Sequence, residues 1–362
     1  MCHWLRLLML VVLLASLRPP PVESEEQYWT KLMLGAQGKD DLAKYLAAVR
    51  VAERYGEDDP RLHIALYDAG VQCSWLNKRP QLAEQLLKRD IANLEKISVT
   101  FPDIVSDCFE LANVYEIQGR YGEAETLLLR ALDIRKKWKD VQSDNPFNAE
   151  IYSSLYVAYY VQGNDAKAAD AQSQMLNALA LWQTDKTRAQ CLFKLDNNFY
   201  KYATRCKHLD PVKGKHLLEM ALKFAAESAA CYRRLYGETA FSMANLGVAE
   251  IYMALGRMAE AESIFRHILN IADVSQSFEK TYAFASLARL ATILCSQHRI
   301  NEVEQLQDQY LSKIARAFGE MSSTYVDEVK MCAEIWGNEK YPELEEKRRR
   351  QAQVIIAGWT KK

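Results

Sequence analysis

Histidine and acidic residues are the side chains of this sequence that could bind a metal ion or transfer a proton. None of the six histidines pairs with another at i, i+4, and neither an HExxH motif nor the paired Cys/His spacing of a zinc site occurs. His208 and His216 flank a short turn that contains Asp210, which allows a metal site, but a solvated turn explains these residues more simply. We therefore expect neither a metal site nor a cofactor.

The motifs of nucleophilic catalysis and phosphate binding are also missing from the sequence. There is no Gly-x-Ser-x-Gly elbow, no GxxxxGK[ST] loop and no GxGxxG segment. The formal net charge of −1 gives the chain no overall field that would attract nucleic acid or an anionic membrane. These observations predict a protein that is not an enzyme, has no catalytic residues and does not bind nucleic acid.

The eight cysteines do not form the pattern of a disulfide-stabilised protein. One of them, Cys2, lies in the N-terminal segment, and the other seven are spaced widely and irregularly with no CxxC pair. We expect these seven to be buried packing residues, with one or two bridges between neighbouring helices as the alternative. They are Cys73, Cys108, Cys191, Cys206, Cys231, Cys295 and Cys332.

Residues 1–24 have the layout of a secretory signal peptide. Arg6 precedes an uncharged run of 11 residues, 7–17, and three prolines follow soon after. As a helix that run would rise about 16 Å, far less than the ~30 Å hydrocarbon layer, so we expect no stable membrane span. We predict cleavage before Glu25 and export to the periplasm or the extracellular space. The alternative is a buried first helix in a cytoplasmic protein. The lack of any Asn-x-Ser/Thr site favours a bacterial source.

A glycine followed five residues later by an alanine is the clearest internal repeat of the chain. The pairs are Gly119 and Ala124, Gly163 and Ala168, and Gly256 and Ala261. A tyrosine precedes each glycine by four residues. The same phase extends to Ala43, Ala83, Val303 and Leu344, so that the markers recur at steps near 42 residues. Glycine and proline, at 14 and 9 residues, are scarce, which favours long helices between these turns.

This pattern resembles the tetratricopeptide repeat (TPR), a helical hairpin with a small residue where its two helices cross. The resemblance implies an all-α fold, a right-handed α–α superhelical solenoid of about eight hairpins over residues 25–362. The period near 42 and the Gly-Glu linkers at Gly56, Gly237 and Gly319 resemble the longer variety found in kinesin light chains. Residues 187–236 are predicted to form a degenerate repeat, and a capping helix is expected around residues 340–358.

The resemblance implies a non-enzymatic scaffold that holds a peptide or partner protein of unknown identity. In this family the first helix of each hairpin lines a concave groove. The family's groove positions correspond here to Phe109, Asn113, Glu116, Val157, Tyr160, Glu250 and Met253. Asn113 is the strongest candidate, because an amide can bond a peptide backbone as both donor and acceptor.

Two other functions remain open at this point. The apolar residues Val354, Ile355, Ile356 and Trp359 near the C-terminus would suit a structural envelope protein that self-associates through its end repeats, although packing within a capping helix explains them too. The irregular region 187–236 would suit a protein that binds a small ligand or acts on one.

Overall fold

A computed structural model of the chain contains sixteen α-helices and no strand in the residues that it describes. The all-α class is therefore confirmed. The described residues are 25–36, 42–75, 79–98, 102–137, 147–181, 184–206 and 210–359. The predicted signal peptide, residues 1–24, lies outside them.

The helices follow one another with short connections, and each packs against its successor within a hairpin. They are α1 (Glu25–Ala36), α2 (Leu42–Ala52), α3 (Pro60–Trp75), α4 (Pro80–Ile97), α5 (Asp103–Ile117), α6 (Tyr121–Lys137), α7 (Phe147–Gln162), α8 (Asp165–Ala180), α9 (Asp185–Cys206), α10 (Pro211–Tyr236), α11 (Glu238–Ala254), α12 (Met258–Ile271), α13 (Ser277–Ser296), α14 (Ile300–Phe318), α15 (Ser323–Asn338) and α16 (Pro342–Trp359). Successive pairs give eight hairpins, which agrees with the predicted number. Over the described ranges, none of these helices combines the length and apolar character needed to cross a membrane.

The helices belong to two compact units. One contains α1 to α6 and the other α7 to α16, with the division between residues 142 and 143. The solenoid predicted over residues 25–362 did not include this division. Each unit is described separately below.

The turn inside a hairpin explains the five-residue spacing of glycine and alanine. Gly119 has a φ of 75°, a left-handed conformation that suits glycine, and it follows the end of α5. The backbone N–H of Arg120 then donates to the carbonyl of Tyr115 at 2.8 Å, which closes the helix end. Arg120 caps the next helix, because its own carbonyl accepts from the N–H of Ala124 at 3.1 Å. The five-residue spacing therefore consists of the left-handed glycine, the capping residue and the first turn of the next helix.

The same turn occurs at two places where the sequence has no glycine. His298 has a φ of 61° and Lys340 a φ of 65°. The hydrogen-bond pattern is unchanged, since Arg299 N–H donates to the carbonyl of Leu294 at 2.9 Å. The repeat geometry therefore imposes the left-handed conformation even on side chains that disfavour it.

The alanine markers lie where the two helices of a hairpin approach each other. Ala83, Ala124 and Ala261 have no exposed surface. Ala43 is the exception and was wrongly placed: it is exposed, whereas its neighbour Leu42 is buried. The inward face of α2 is thus shifted by one residue from the phase of the other repeats.

The cysteines behave as small apolar core residues. Six of them are buried free thiols: Cys73, Cys108, Cys191, Cys231, Cys295 and Cys332. Burial raises the pKa of Cys108 and of Cys332 to about 12, so these thiols stay protonated at neutral pH. The side chain of Cys206 lies outside the described residues.

The segment predicted as a capping helix is α16, which packs on α14 and α15. Gln307 of α14 is fully buried and joins three elements. Its amide oxygen accepts from Trp336 Nε1 at 2.9 Å and from Arg348 Nε at 3.1 Å. Ile355 and Ile356 pack against the apolar core of the second unit. These contacts leave Val354 as the large apolar side chain that is well exposed on this helix.

Candidate functional site

The groove residues predicted on α5 lie inside the first unit. Phe109, Asn113 and Glu116 are all buried, with Asn113 only 1% exposed. The Asn113 amide donates to Glu110 Oε2 at 3.3 Å instead of facing solvent. The physical reason is that α5 packs against α3, α4 and α6, so three helices surround it. Contact between these residues and a partner stays a prediction, and it requires α5 to be uncovered.

The two candidates on α7 have different environments. Val157 has no exposed surface and is a core residue of the second unit, so its contact with a partner stays a prediction that requires α7 to be uncovered. Tyr160 is partly exposed and stacks on Tyr156, with ring centroids 5.7 Å apart. The ring of His216 lies 5.0 Å from that of Tyr160, and its Nε2 is 3.0 Å from the Tyr156 hydroxyl. His216 thus belongs to an aromatic cluster, while His208 is outside the described residues.

The two candidates on α11 lie on a partly exposed surface. Met253 packs against the apolar core of the second unit and keeps part of its side chain accessible. Glu250 accepts a hydrogen bond from Arg289 Nε of α13 at 2.9 Å. Its carboxylate is therefore held between two first helices of consecutive hairpins.

Similar polar contacts join other first helices of the second unit. Lys194 Nζ of α9 lies 2.7 Å from Glu150 Oε1 of α7. Asn198 Nδ2 of α9 donates to Ser153 Oγ of α7 at 2.6 Å. These contacts, together with the Glu250–Arg289 pair, align the first helices side by side, as the repeat requires. An apolar pocket of this unit lies beside α9, α11 and α13.

This pocket, called the aromatic pocket below, has a volume of about 370 Å³. Its walls come from α9, α10, α11 and α13. They are Phe193, Tyr232, Tyr236, Ala240, Ala244 and Tyr282. Phe193 is 49% exposed and Tyr236 is 54% exposed, large values for apolar rings in a folded chain.

Local sequence explains why a pocket forms here. Tyr232 and Tyr236 are four residues apart at the end of α10 and so share one face, with ring centroids 6.2 Å apart. Ala240 and Ala244 share a face of α11 in the same way, and their small side chains leave space in front of the rings. Gly237, with a φ of 80°, joins the two helices directly. Aromatic and small residues therefore face each other across a single-residue connection.

A buried carboxyl group lies behind the pocket. Asp196 of α9 is 8% exposed, and burial raises its pKa to about 8. Burial, the charge of Tyr236 and the charge of Asp196 together raise the pKa of Tyr232. Asp196 is thus held protonated at neutral pH beside one wall of the pocket.

None of the pocket residues is among those predicted from the sequence to bind a partner. The family's groove positions exclude the end of α10, because a second helix does not line the groove in a regular repeat. The available signal was the departure of residues 187–236 from the repeat pattern, which was noted as a place where a ligand could bind. Three aromatic side chains of the pocket, Phe193, Tyr232 and Tyr236, lie in that region, and the fourth, Tyr282, lies on α13.

The fold and this surface define a helical-hairpin repeat protein with an exposed apolar pocket. Two segments match the sequence profile of the tetratricopeptide repeat: residues 110–137, in α5 and α6, and residues 244–274, in α11 and α12. The chain therefore contains tetratricopeptide repeats in these two segments. Comparison with curated protein sequences finds no match.

Several solved structures are similar to this chain at low sequence identity. Kinesin-light-chain-like TPR repeats of Podosopora anserina share 15% identity over 72% of this chain and 99% of theirs, with a TM-score of 0.34. BtubC (BKLC) from P. vanneervenii shares 17% identity over 69% of this chain and 91% of its own, with a TM-score of 0.40. A Rap protein complexed with Competence and Sporulation Factor shares 14% identity over 93% and 98%, with a TM-score of 0.39.

Proposed function

We propose that this chain is a non-enzymatic binding protein that inserts one apolar side chain of a partner's extended segment into the aromatic pocket. The observation that carries the proposal is the exposure of Phe193 and Tyr236 around a pocket of about 370 Å³. Soluble proteins rarely leave clustered aromatic rings accessible unless the surface binds something. Aromatic side chains in pockets also dominate the energy of protein–protein contacts.

The chemistry of the walls favours binding over catalysis. The described lining residues are a phenylalanine, three tyrosines and two alanines, a set that has no nucleophile paired with a base. Tyrosine offers a large apolar ring and a hydroxyl group that can bond a peptide backbone. The pocket therefore suits a leucine, methionine or aromatic side chain whose main chain continues along the first helices.

The surroundings of the pocket are polar but nearly neutral. Glu250 and Arg289 neutralise each other on α11 and α13. Arg234 likewise pairs with Asp185 at the start of α9, with 2.7 Å between the charged atoms. We therefore expect the partner to be selected by its apolar anchor and not by a run of charge. Paired charges at a rim contribute little affinity.

Selection from a displayed peptide library against the immobilised protein tests this function. Wild type should enrich peptides with a shared apolar residue, and Phe193→Ala should weaken their binding about tenfold or more, since aromatic anchors are typically worth over 1 kcal/mol. Ala244→Trp, which fills the pocket, should abolish peptide binding. Phe318→Ala is the matched control, because Phe318 is an exposed phenylalanine of the same unit outside the pocket. The proposal would be contradicted if Phe318→Ala lost as much peptide binding as Phe193→Ala, or if Phe193→Ala lost none.

We also propose export, on the basis of residues 1–24 alone. The positive residue, the apolar run of 11 residues and the prolines support it. Mass spectrometry of the protein recovered from the cells that make it should find an N-terminus at Glu25 in the extracytoplasmic fraction. A chain that begins at Met1 and remains in the cytosol would contradict export without touching the peptide-binding proposal.

A further inference from the structure

Three helices of the first unit bring a histidine and two aspartates together. His63 is on α3, Asp90 on α4 and Asp107 on α5. One ligand atom from each lies within 4.8 Å of the other two. His63 Nδ1 is 2.8 Å from Asp90 Oδ2. The cluster is remote from the aromatic pocket in the sequence and belongs to the other compact unit.

The aspartates of this cluster are buried more deeply than carboxylates usually are. Asp90 and Asp107 are both 0% exposed. Among the described residues, no hydrogen-bond donor reaches either oxygen of Asp107, or Oδ1 of Asp90. A carboxylate buried without donors is strongly unfavourable, because the lost hydration is not replaced. Within the described part of the chain, Asp90 Oδ2 alone of the four carboxylate oxygens has a partner, which is His63.

Both ring nitrogens of His63 face carboxylates, and Nδ1 is hydrogen-bonded to Asp90 Oδ2. Its Nε2 lies 3.4 Å from Asp103 Oδ2, at the exposed start of α5. When an outer carboxylate accepts a hydrogen bond from one ring N–H, the other nitrogen can offer its lone pair to a metal, which is the usual arrangement around histidine ligands. Nδ1 is then the atom that faces Asp90 and Asp107. The histidine is half-buried, which leaves a path from solvent to the cluster.

We propose that His63 Nδ1 and the carboxylates of Asp90 and Asp107 bind a divalent transition-metal cation, with Zn²⁺ the best match. One imidazole and two carboxylates form a three-ligand set with a position left for water. Two donors at about 2.0–2.1 Å from a tetrahedral ion are about 3.3 Å apart. His63 Nδ1 and Asp90 Oδ2 are 2.8 Å apart, so they would separate by roughly half an ångström to admit the ion. Mg²⁺ and Ca²⁺ suit the site less, since they prefer oxygen ligands alone.

A proton competes with this cation for the carboxylate of Asp107. Burial, and after it the charges of Asp90 and Asp103, raise the pKa of Asp107 well above its usual range. Without a metal, Asp107 therefore holds a proton that it can share with Asp90. The two states differ in a measurable way, because Asp107→Asn keeps the shape of a protonated carboxyl but removes a metal ligand.

The cation would have a structural role. The second hairpin contributes His63 and Asp90, and the first helix of the third hairpin contributes Asp107. An ion held by all three fastens consecutive repeats of the first unit together. Binding would therefore raise the stability of this unit, because a ligand specific for the folded state adds its binding energy to folding.

Calorimetric titration of the chelator-treated full chain with ZnCl₂ tests the site. Wild type should bind one equivalent, with a rise in thermal unfolding temperature. That equivalent should disappear in Asp107→Asn and in His63→Gln, and Asp103→Asn should bind about tenfold more weakly. Asp133→Asn is the matched control, since Asp133 is an exposed aspartate of the same unit. It should bind as wild type does.

Two results would overturn the proposal. One is that wild type binds no Zn²⁺; a higher unfolding temperature of Asp107→Asn would then identify a carboxyl pair that shares a proton. The other is Zn²⁺ binding that survives in both Asp107→Asn and His63→Gln, which would place the ion elsewhere, for instance on a thiol. If Asp107→Asn does not fold, His63→Gln decides alone, because His63 is half-buried and its loss is better tolerated.

Discussion

A single left-handed residue in a hairpin turn has a measurable effect on stability. His298 occupies the position that glycine holds in three other hairpins, with a φ of 61°, and its side chain is exposed. A side chain with a Cβ disfavours this region by about 1–2 kcal/mol. His298→Gly should therefore stabilise the protein by about 0.5–1 kcal/mol, after the larger entropy loss of glycine on folding is subtracted. Urea unfolding of the two proteins measures the difference.

The reverse substitution is the control for this prediction. Gly256 has a φ of 78°, and a Cβ added there would touch nothing within 4 Å. Gly256→His should destabilise the protein by about 1 kcal/mol through the backbone alone. If both variants were more stable than wild type, or neither were, the backbone φ of the turn residue would not be what sets its effect on stability.

Asp196 predicts a pH dependence of stability. Its pKa rises from an ordinary value of 3.8 to about 8 in the folded chain because it is buried. Between these two values the folded state holds a proton that the unfolded state has lost, so stability falls as the pH rises from about 4 to 8. Asp196→Asn cannot ionise and should be more stable than wild type at pH 8, by about 1 kcal/mol or more.

The measurement is the unfolding midpoint of both proteins at several pH values. The difference between wild type and Asp196→Asn should shrink as the pH falls to 4 and below, where the aspartate becomes protonated in both states. A difference that does not change with pH would mean that the carboxyl group is ionised when folded. Asp185→Asn is the control, because that carboxylate is paired with Arg234 near the surface.

At the scale of the helix, α3 and α4 approach each other closely at Gly70. Gly70 lies on α3, and a Cβ added there would be 2.8 Å from Leu87 Cγ on α4. Leu87 has no exposed surface, so it has little room to move. Gly70→Ala should therefore destabilise the first unit by about 1–3 kcal/mol, although alanine is the better helix former.

A second helical glycine isolates the packing effect. Gly122 of α6 is exposed, and a Cβ there would meet nothing within 4 Å. Gly122→Ala should stabilise the protein by about 0.5–1 kcal/mol. The two alanine substitutions thus have opposite expected signs, which chemical unfolding can resolve. Equal signs would contradict the close approach of α3 and α4.

The elements differ in how far the sequence could specify them. Gly119 and Ala124 predicted a helix end, a turn and a helix start, because those features depend on neighbouring residues. Burial of Asn113 was not predictable in the same way, since three helices distant in sequence cover α5. His63, Asp90 and Asp107 are 27 and 17 residues apart on separate helices, so no local motif connects them. Only packing brings them together.

The aromatic pocket shows the same limit at a larger scale. The repeat phase located α9 and α10 closely, yet it excluded Tyr232 and Tyr236 because it assigned α10 to the outer layer. In the second unit the end of α10 reaches the first-helix surface through the direct connection at Gly237. The pocket thus forms where the chain departs from the regular repeat. A prediction of binding residues from regular repeat positions therefore omits it.

For the whole molecule, the remaining alternative is self-association through the last repeat. Of the apolar residues that suggested it, Ile355 and Ile356 pack within the chain, and Trp359 has no described side chain. Val354, at 73% exposed, is a single residue, whereas a stable dimer buries roughly 800 Å² on each partner. We therefore expect a monomer whose mass by light scattering does not change with concentration. A dimer that Val354→Glu dissociates would instead assign this end of the chain to self-association. It would leave the aromatic pocket, which is built from α9, α10, α11 and α13, available for a partner.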